Sequence, residues 1–177
     1  MGGDGDAKLL EDMMACQEAV FRICLGFSRN ASDAEDLSQD VYLKAYRSLG
    51  KVRHPYLIKE WLFRIARNAC LDHAKKRHLT RELERAASPG NAVDPRAPEA
   101  TLIAGERLRA LKSAMSRLPR KQLEVFVLRE YGGLSYEELG RVLGAKAGTI
   151  MSRLNRARTA VASFVKEAEH EQDNRTR

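Results

Sequence analysis

The chain has 177 residues and a formal net charge of +7, a length that suits one ordinary domain or two small ones, each with a modest core. Its 44% hydrophobic and 31% charged residues are typical of a globular protein, and an aromatic content of 6% with few β-branched runs disfavours a sheet-rich fold. No apolar run approaches the roughly 20 residues that cross a bilayer, and the first residues lack the pattern of a secretion signal, so we expect a cytoplasmic protein.

Three helices are predicted in the N-terminal part of the chain. Apolar residues at helical spacing predict the first over residues 10–27. The second is expected to start at Ser32, where Ser32 and Glu35 match a Ser-x-x-Glu capping box, and to end near residue 49, before a glycine. A His-Pro pair then interrupts the chain, and the third helix is predicted over residues 58–77.

The third predicted helix has two different faces. Leu62, Ala66, Ala69 and Cys70 fall on the apolar face, whereas Trp61, Arg64, Asn68 and Lys75 fall on the other. An aromatic ring beside cations and an amide is typical of surfaces that hold unpaired nucleic-acid bases. A lone tryptophan at helical spacing is equally often part of a core, so both interpretations of Trp61 stay open.

The second predicted helix combines a buried face with an acidic outer face. It is expected to bury Ala34, Leu37, Val41 and Ala45, and its outer side carries Asp36, Gln39, Asp40, Leu43 and Arg47. An apolar anchor surrounded by carboxylates is a pattern found at protein interfaces. The pattern therefore suggests a protein partner, although a single exposed leucine is also ordinary surface.

A linker divides the chain. The stretch "AASPGNAVDPRAPEA", residues 86–100, holds three of the five prolines and has no helical apolar period. We therefore predict an all-α protein with two small helical domains, residues 8–80 and 104–167, joined by a flexible linker at 81–103. Residues 168–177 are expected to form a disordered tail.

The second domain ends in two helices that are separated by a glycine turn. Helices are expected over residues 102–118 and from Pro119 to a Gly-Gly pair. Ser135 and Glu138 then match a capping box, Gly144 ends that short helix, and the turn "GAKA" leads into the last helix. Its apolar stripe consists of Ile150, Leu154, Ala157, Val161 and Phe164. This arrangement predicts a helix-turn-helix, whose second helix enters the DNA major groove.

The side of the last helix that faces away from the stripe carries the candidate DNA contacts. They are Thr149, Met151, Ser152, Asn155 and Arg156, with Arg153 and Arg158 at the flanks, better placed for phosphates. Arginine and asparagine pair with guanine and adenine edges respectively. An ordinary helical hairpin with a solvated basic face is the alternative interpretation.

The positive charge lies in two separate patches. Residues 51–81 contain nine basic and two acidic residues, and residues 141–166 contain six basic residues and no acid. Patches of one sign attract polyanions, and binding that releases counterions weakens steeply with salt. The distribution therefore favours a nucleic-acid partner for each domain.

These segments resemble a known family, the extracytoplasmic-function sigma factors of bacterial RNA polymerase. "DAEDLSQDVYLKAYRSL" resembles the core-polymerase-binding helix of that family, and "EWLFRIARNACLDHAKKR" resembles its downstream-promoter helix. "LPRKQLEVFVLREYGGLSYEELGRVLGAKAGTIMSRLNRAR" is similar to its upstream-promoter domain. The resemblance implies a protein that binds core polymerase, directs it to the −35 and −10 promoter elements and helps to open the duplex.

The resemblance also implies a role for each candidate residue. Asp36, Gln39, Asp40 and Leu43, with Arg47 on the same face, would contact the clamp helices of the largest polymerase subunit. Trp61, Phe63, Arg64, Asn68 and Lys75 would lie at the −10 element, and the loop at 51–59 would form the pocket for a base drawn from the stack. Ser152, Asn155 and Arg156 would read the −35 element, and the linker would run toward the RNA exit path. An anti-sigma protein is a further implied partner.

Two segments depart from the family pattern. The loop before Trp61 reads "KVRHPYLIKE" instead of a Gly- and Ser-containing sequence, which affects the base that the pocket accepts. The turn reads "GAKAGTIM", without a proline and with Met151 where a cation is common. Methionine offers apolar contact, for example to a thymine methyl group, so an atypical −35 sequence is expected.

Two other classes of protein are alternatives. A stand-alone helix-turn-helix regulator would bind duplex DNA by itself, but it does not account for the first basic patch and the linker. An enzyme would need a zinc or redox site built from Cys16, Cys24, Cys70, His73 and His78, and no pair among them has metal-ligand spacing. We therefore predict no catalytic residue, no metal and no cofactor, and we expect unpaired, buried thiols.

Overall fold

Eight α-helices make up the described part of the fold. A computed structural model of the chain describes residues 3–52, 54–87 and 102–173. The helices are α1 (Gly3–Met14), α2 (Gln17–Ser28), α3 (Ala31–Ser48), α4 (Ile58–Ala87), α5 (Leu102–Arg117), α6 (Arg120–Glu130), α7 (Tyr136–Leu143) and α8 (Ala147–Asp173), with short 3₁₀ turns at Leu49–Lys51 and Pro55–Leu57. Every regular element in these ranges is helical, as the sequence predicts, and none of the helices is both long and apolar enough to cross a bilayer.

The helices form two bundles. In the N-terminal domain, α2 packs against α3 and α4, while α1 packs on α4. In the C-terminal domain, α5, α6 and α7 all pack against α8. The predicted inward faces of α3 and α8 are confirmed, because each of Ala34, Leu37, Val41 and Ala45 and each of Ile150, Leu154, Ala157 and Val161 is at most 9% exposed. Burial of these stripes holds each bundle together.

The first predicted helix is divided into two. The chain turns between Met14 and Gln17, and no glycine or proline marks the place. The carbonyl of Met13 accepts hydrogen bonds from the Cys16 amide at 3.1 Å and from the Tyr42 hydroxyl of α3, also at 3.1 Å. A tertiary contact therefore fixes the break, which a periodic apolar pattern does not reveal.

The start of α3 differs from the prediction as well. Asn30, in an extended conformation, is the N-cap, and its side-chain oxygen accepts a 3.0 Å bond from the Asp33 amide. The predicted capping box of Ser32 and Glu35 is therefore wrong, since both residues lie inside α3, after its N-cap. Arg29 before it is left-handed, at φ 59°, and it turns the chain out of α2. Asparagine is at least as good a cap as serine, so a helix start at Asn30, two residues before Ser32, is physically reasonable.

Two helices extend past their predicted ends. α4 continues to Ala87, into the segment predicted as linker, and α8 continues to Asp173, into the predicted tail. Neither extension contains glycine or proline, and a pair such as His78–Glu82, with 3.2 Å between Nε2 and Oε1, supports the helix. The rest of the predicted linker, 88–101, and of the tail, 174–177, lies outside the described residues.

Candidate nucleic-acid interface

The helix-turn-helix begins with a well-capped short helix. Ser135 Oγ accepts a 3.2 Å bond from the Glu138 amide, and the Glu138 carboxylate accepts a 2.6 Å bond from the Ser135 amide. Gly144 ends α7 in the left-handed region at φ 62°. The predicted capping box and glycine turn are confirmed, and they fix the angle at which α8 leaves α7.

α8 presents the predicted candidate residues to solvent. Thr149, Met151, Ser152, Asn155 and Arg156 are all exposed, with Met151 at 56%. On the opposite side, Ile150 and Leu154 are buried in the bundle. The recognition face is therefore free to enter a groove without disturbing the core.

The two flanking arginines are less accessible to DNA than the residues of the exposed face. Arg153 is half-buried, and Arg158 donates to the Glu130 carboxylate of α6 through Nε at 2.9 Å and Nη2 at 2.6 Å. The hydrogen bond with Glu130 raises the pKa of Arg158 above its ordinary value. Arg158 is thus bound within the domain, and contact with a phosphate would have to compete with Glu130.

The exposed face of α4 carries most of the second candidate group. Arg64, Asn68 and Lys75 are exposed, and Trp61 is half-buried, with its ring packed against the core. Asn68 Oδ1 accepts a 3.0 Å bond from Arg67 Nη1. Trp61 is therefore partly a core residue, and a role of its exposed part in holding a base stays a prediction.

Phe63 corrects the prediction for this face. Its side chain is 0% exposed, and it lies in the core beside Leu62 and Ala66. A ring in that position cannot reach a DNA strand while the domain is folded, so its assignment to the −10 surface is wrong. The burial also shows that the apolar arc of α4 is wider than the predicted one.

A cavity lies next to the exposed face of α4. It has a volume of about 240 Å³ and is lined by Val52, His54, Leu57, Glu60, Trp61, Arg64 and Arg141. The predicted base-binding loop, 51–59, supplies three of these residues, although Arg53 lies outside the described residues. A cavity with an aromatic wall and a cation beside it suits an unstacked base.

Two exposed aromatic residues were missed by the sequence-based prediction. Tyr56, in the same loop, is 77% exposed, and its ring centroid lies 5.5 Å from that of His54. Tyr46, on α3 beside Leu43, is 66% exposed. Each could have been identified from the sequence, because it is a large aromatic residue at a position outside the apolar stripe of its segment.

The acidic outer face of α3 is exposed as predicted. Asp36, Gln39, Asp40 and Arg47 are all exposed, and Leu43 is 54% exposed at their centre. Together with Tyr46, Leu43 forms an apolar spot with a charged border. This composition is typical of the anchor and rim of a protein interface.

The cysteines do not form a disulfide. All three are free, Cys24 and Cys70 are buried, and Cys16 is half-buried. A hydrogen bond with Cys24, together with burial, raises the pKa of the Cys70 thiol well above its ordinary value. Cys70 is therefore in the unreactive thiol form at neutral pH.

Comparison with known proteins identifies the two domains. The Sigma-70 region 2 family matches residues 13–80, and the family described as Sigma-70, region 4 matches residues 108–161. The RNA polymerase sigma-H factor of Pseudomonas aeruginosa is 31% identical over 153 residues, which cover 82% of this chain and 79% of that protein. The ECF RNA polymerase sigma factor SigE of Mycolicibacterium smegmatis is 34% identical over 167 residues, which cover 92% of this chain and 64% of that protein.

A solved structure supports the same relation. The sigma factor RpoE from Bartonella quintana, in complex with the anti-sigma factor NepR, is similar with a TM-score of 0.70 and 28% identity, over 88% of this chain and 95% of that chain. These matches favour a sigma factor over a stand-alone helix-turn-helix regulator, because they include the domain that precedes the helix-turn-helix. The chain belongs to the extracytoplasmic-function sigma factors of bacterial RNA polymerase.

Proposed function

We propose that three separate surfaces of this sigma factor carry its three contacts in transcription initiation. The N-terminal domain, residues 8–80, binds core polymerase through α3 and the −10 element through α4. The C-terminal domain, residues 104–167, binds the −35 element through α8. The observation that supports this division most directly is the two-sided α8, with its apolar stripe buried and its polar side exposed after a capped helix and a glycine turn.

At the −35 element, Asn155 and Arg156 read base edges in the major groove. Both are exposed on the side of α8 opposite Leu154. Met151 and Ser152 complete that surface, and the exposed thioether of Met151 supplies an apolar contact where a cation would supply a charged one. Thr149 and Arg153 border the surface, and they and Arg158 serve the phosphates.

At the −10 element, the exposed face of α4 holds the separated strand. Arg64, Asn68 and Lys75 face solvent on this helix, and the adjacent cavity accepts one unstacked base against Trp61. Tyr56 is added to this surface because its ring is exposed in the loop beside the cavity. The tyrosine supplies a second stacking partner in a loop that lacks the usual glycine and serine.

Core polymerase binds the outer face of α3. Leu43 and Tyr46 form the apolar centre, and Asp36, Gln39, Asp40 and Arg47 form the polar border. The Bartonella relative was solved with an anti-sigma factor, so we also propose a protein of that class as a partner of this chain. The protein acts in the cytoplasm, where core polymerase and the chromosome are found, and it performs no catalysis of its own.

Transcription from a promoter library tests the proposal. Core polymerase is incubated with a pool of randomised promoter sequences, with and without this protein, and the transcripts are sequenced. The expected result is a set of transcripts that requires both components and shares one −35 and one −10 sequence. Transcripts that form equally well without the protein, or tight operator binding by the protein alone, would contradict it.

A further inference from the structure

One cavity lies outside all the surfaces proposed above. It has a volume of about 320 Å³ and is lined by the turn between α2 and α3, the first turns of α3, the part of α4 from Cys70 to His78, and Lys112 of α5. Among the described residues that line it, none is proposed to contact promoter DNA or core polymerase. The cavity therefore has no part in the contacts assigned so far.

This cavity and the proposed −10 surface are on opposite sides of α4. His73 and Arg77 line the cavity from this helix. At about 100° per residue, they point roughly opposite to Asn68 and Lys75, which belong to the proposed −10 surface. A molecule bound in the cavity would therefore not occupy the place of the DNA strand.

Positive charge predominates around the cavity. The permanent cations in its wall are Arg29, Arg77 and Lys112, and they are accompanied by two histidines, His73 and His78. Asp33 is the carboxylate among the described lining residues, and its Oδ2 accepts a 2.5 Å hydrogen bond from Arg77 Nη1. Three cations less one carboxylate give the wall a formal charge of +2 when both histidines are neutral. A concave surface with this balance attracts an anion.

Two nitrogen atoms of the wall have no partner. His73 Nε2 is buried without a hydrogen bond, and Asp33 Oδ2 lies 3.8 Å from it, which is too far for one. Lys112 is half-buried, and no described carboxylate forms an ion pair with it. A buried nitrogen without a partner and an unpaired ammonium both cost free energy, which an oxyanion in the cavity would recover.

The remaining part of the wall is apolar. Phe27, Leu37 and Cys70 line the cavity, and each is at most 9% exposed. An inorganic anion would leave this apolar surface uncovered, and a sugar would cover it with hydroxyl groups. A flat organic ring matches it better, and the volume is at the lower end of the range for small-molecule sites.

We propose that this cavity is a binding site for a nucleoside phosphate. The phosphate group, which carries close to two negative charges at neutral pH, lies between Lys112 and His73 Nε2. The base lies against Phe27 and Leu37. The ligand joins the α2–α3 turn to α4 and therefore stabilises the N-terminal domain, because it binds the folded chain and not the unfolded one.

Thermal unfolding of the full-length chain measures the binding. Adenosine 5′-monophosphate and uridine 5′-monophosphate are titrated at low, constant ionic strength, and the rise in unfolding temperature with concentration gives each affinity. Ribose 5-phosphate lacks the base, and adenosine lacks the phosphate. We expect at least one nucleotide to bind about tenfold or more tightly than either of these two molecules.

Two variants test the position of the phosphate. His73→Phe removes Nε2 and keeps a ring, and Lys112→Met removes the charge and keeps the length of the side chain. Each should weaken nucleotide binding about tenfold, because each removes one contact to a charged phosphate. Lys121→Met, which removes an exposed cation from α6, is the control and should not change the affinity. Circular dichroism checks folding, and if one variant is unfolded the other carries the test.

Lys75→Met distinguishes the cavity from the proposed −10 surface, which also attracts nucleotides. It removes an exposed cation from the opposite side of α4. Nucleotide binding that is weakened by Lys75→Met, and not by the two cavity variants, would overturn the proposal. The absence of binding by either nucleotide, which would leave the cavity to water, and an equal affinity for ribose 5-phosphate would overturn it as well.

Discussion

At the scale of single residues, burial distinguishes side chains that the sequence groups together. Phe63 and Arg64 are neighbours on α4, yet Phe63 is 0% exposed and Arg64 is exposed. Helical spacing places Phe63 next to Cys70, at the edge of the apolar side, although its assignment to the −10 surface rests on the family pattern alone. Periodicity therefore deserves more weight than resemblance for an apolar residue beside a predicted stripe.

Arg156 tests the reading of the −35 element. We expect Arg156→Ala to reduce initiation at the cognate promoter, because it removes an exposed guanidinium from the groove side of α8. The preference for the cognate −35 sequence over a scrambled one should fall by about 1–3 kcal/mol. Initiation rates on the cognate promoter and on one with a scrambled −35 sequence measure the effect. Arg22→Ala, which removes an exposed cation from α2, is the control.

Core polymerase affinity should be the same for the Arg156→Ala variant and the wild type. If polymerase binding falls as much as initiation does, the assignment of the α8 face is wrong.

Asp40 tests the polymerase surface. We expect Asp40→Lys to slow association with core polymerase, most strongly at low salt, because it reverses a charge at the border of the Leu43 and Tyr46 contact. Association kinetics at two salt concentrations measure this. Glu18→Lys makes the same change of charge at an exposed position of α2 and should have a smaller effect. An unchanged rate for Asp40→Lys would remove α3 from the interface.

At the scale of the helices, the sequence predicts faces better than it predicts ends. The stripe of α8 and the capping box of α7 are both found in the structure, because each depends on residues within one or two turns. The division between α1 and α2 depends instead on the Tyr42 hydroxyl, which lies 29 positions from Met13 in the chain. Local patterns therefore determine the helix faces, and distant contacts determine several of the boundaries.

The two sides of α8 can be tested with a matched pair of substitutions. Leu154→Ala should destabilise the chain by about 2–5 kcal/mol, because it leaves a cavity at a position that is 1% exposed. Met151→Ala, on the exposed side of the same helix, should change stability by less than about 0.5 kcal/mol. Urea denaturation measures both, and equal losses would contradict the assignment of the faces.

Glu138 predicts a pH dependence of stability. Burial raises its pKa, but the hydrogen bond from the Ser135 amide and the nearby Lys59 ammonium together bring it below its ordinary value of 4.5. A carboxylate with a lowered pKa in the folded chain stabilises it fully above the ordinary pKa, and this stabilisation is lost as pH falls through the folded-state pKa. Glu138→Gln should therefore lower the stability of the chain near neutral pH, and lower it less in acid.

Urea denaturation of the wild type and the Glu138→Gln variant between neutral pH and about pH 4 measures this dependence. Glu167→Gln, an exposed substitution on α8, provides the control and should show no such trend. A difference between the wild type and Glu138→Gln that stays constant with pH would contradict the account.

At the scale of the whole molecule, the composition and the proline-rich linker predict two helical domains, and the structure has them. The packing of one domain on the other was not predictable. It depends on ion pairs such as that of Arg67 with Glu124, which join residues 57 positions apart, and on glycines that match side chains of the other domain. The periodic pattern of apolar residues does not indicate which charged residues form ion pairs with each other.

The central claim is that the two domains of one chain contact two separate promoter elements within the polymerase complex. Photo-crosslinking side chains placed at Asn155 of α8 and at Asn68 of α4, each in the assembled complex on a selected promoter, test it most directly. The account predicts crosslinks from Asn155 to the −35 element and from Asn68 to the non-template strand of the −10 element. Crosslinks from both positions to the same element, or from neither position to promoter DNA, would contradict it.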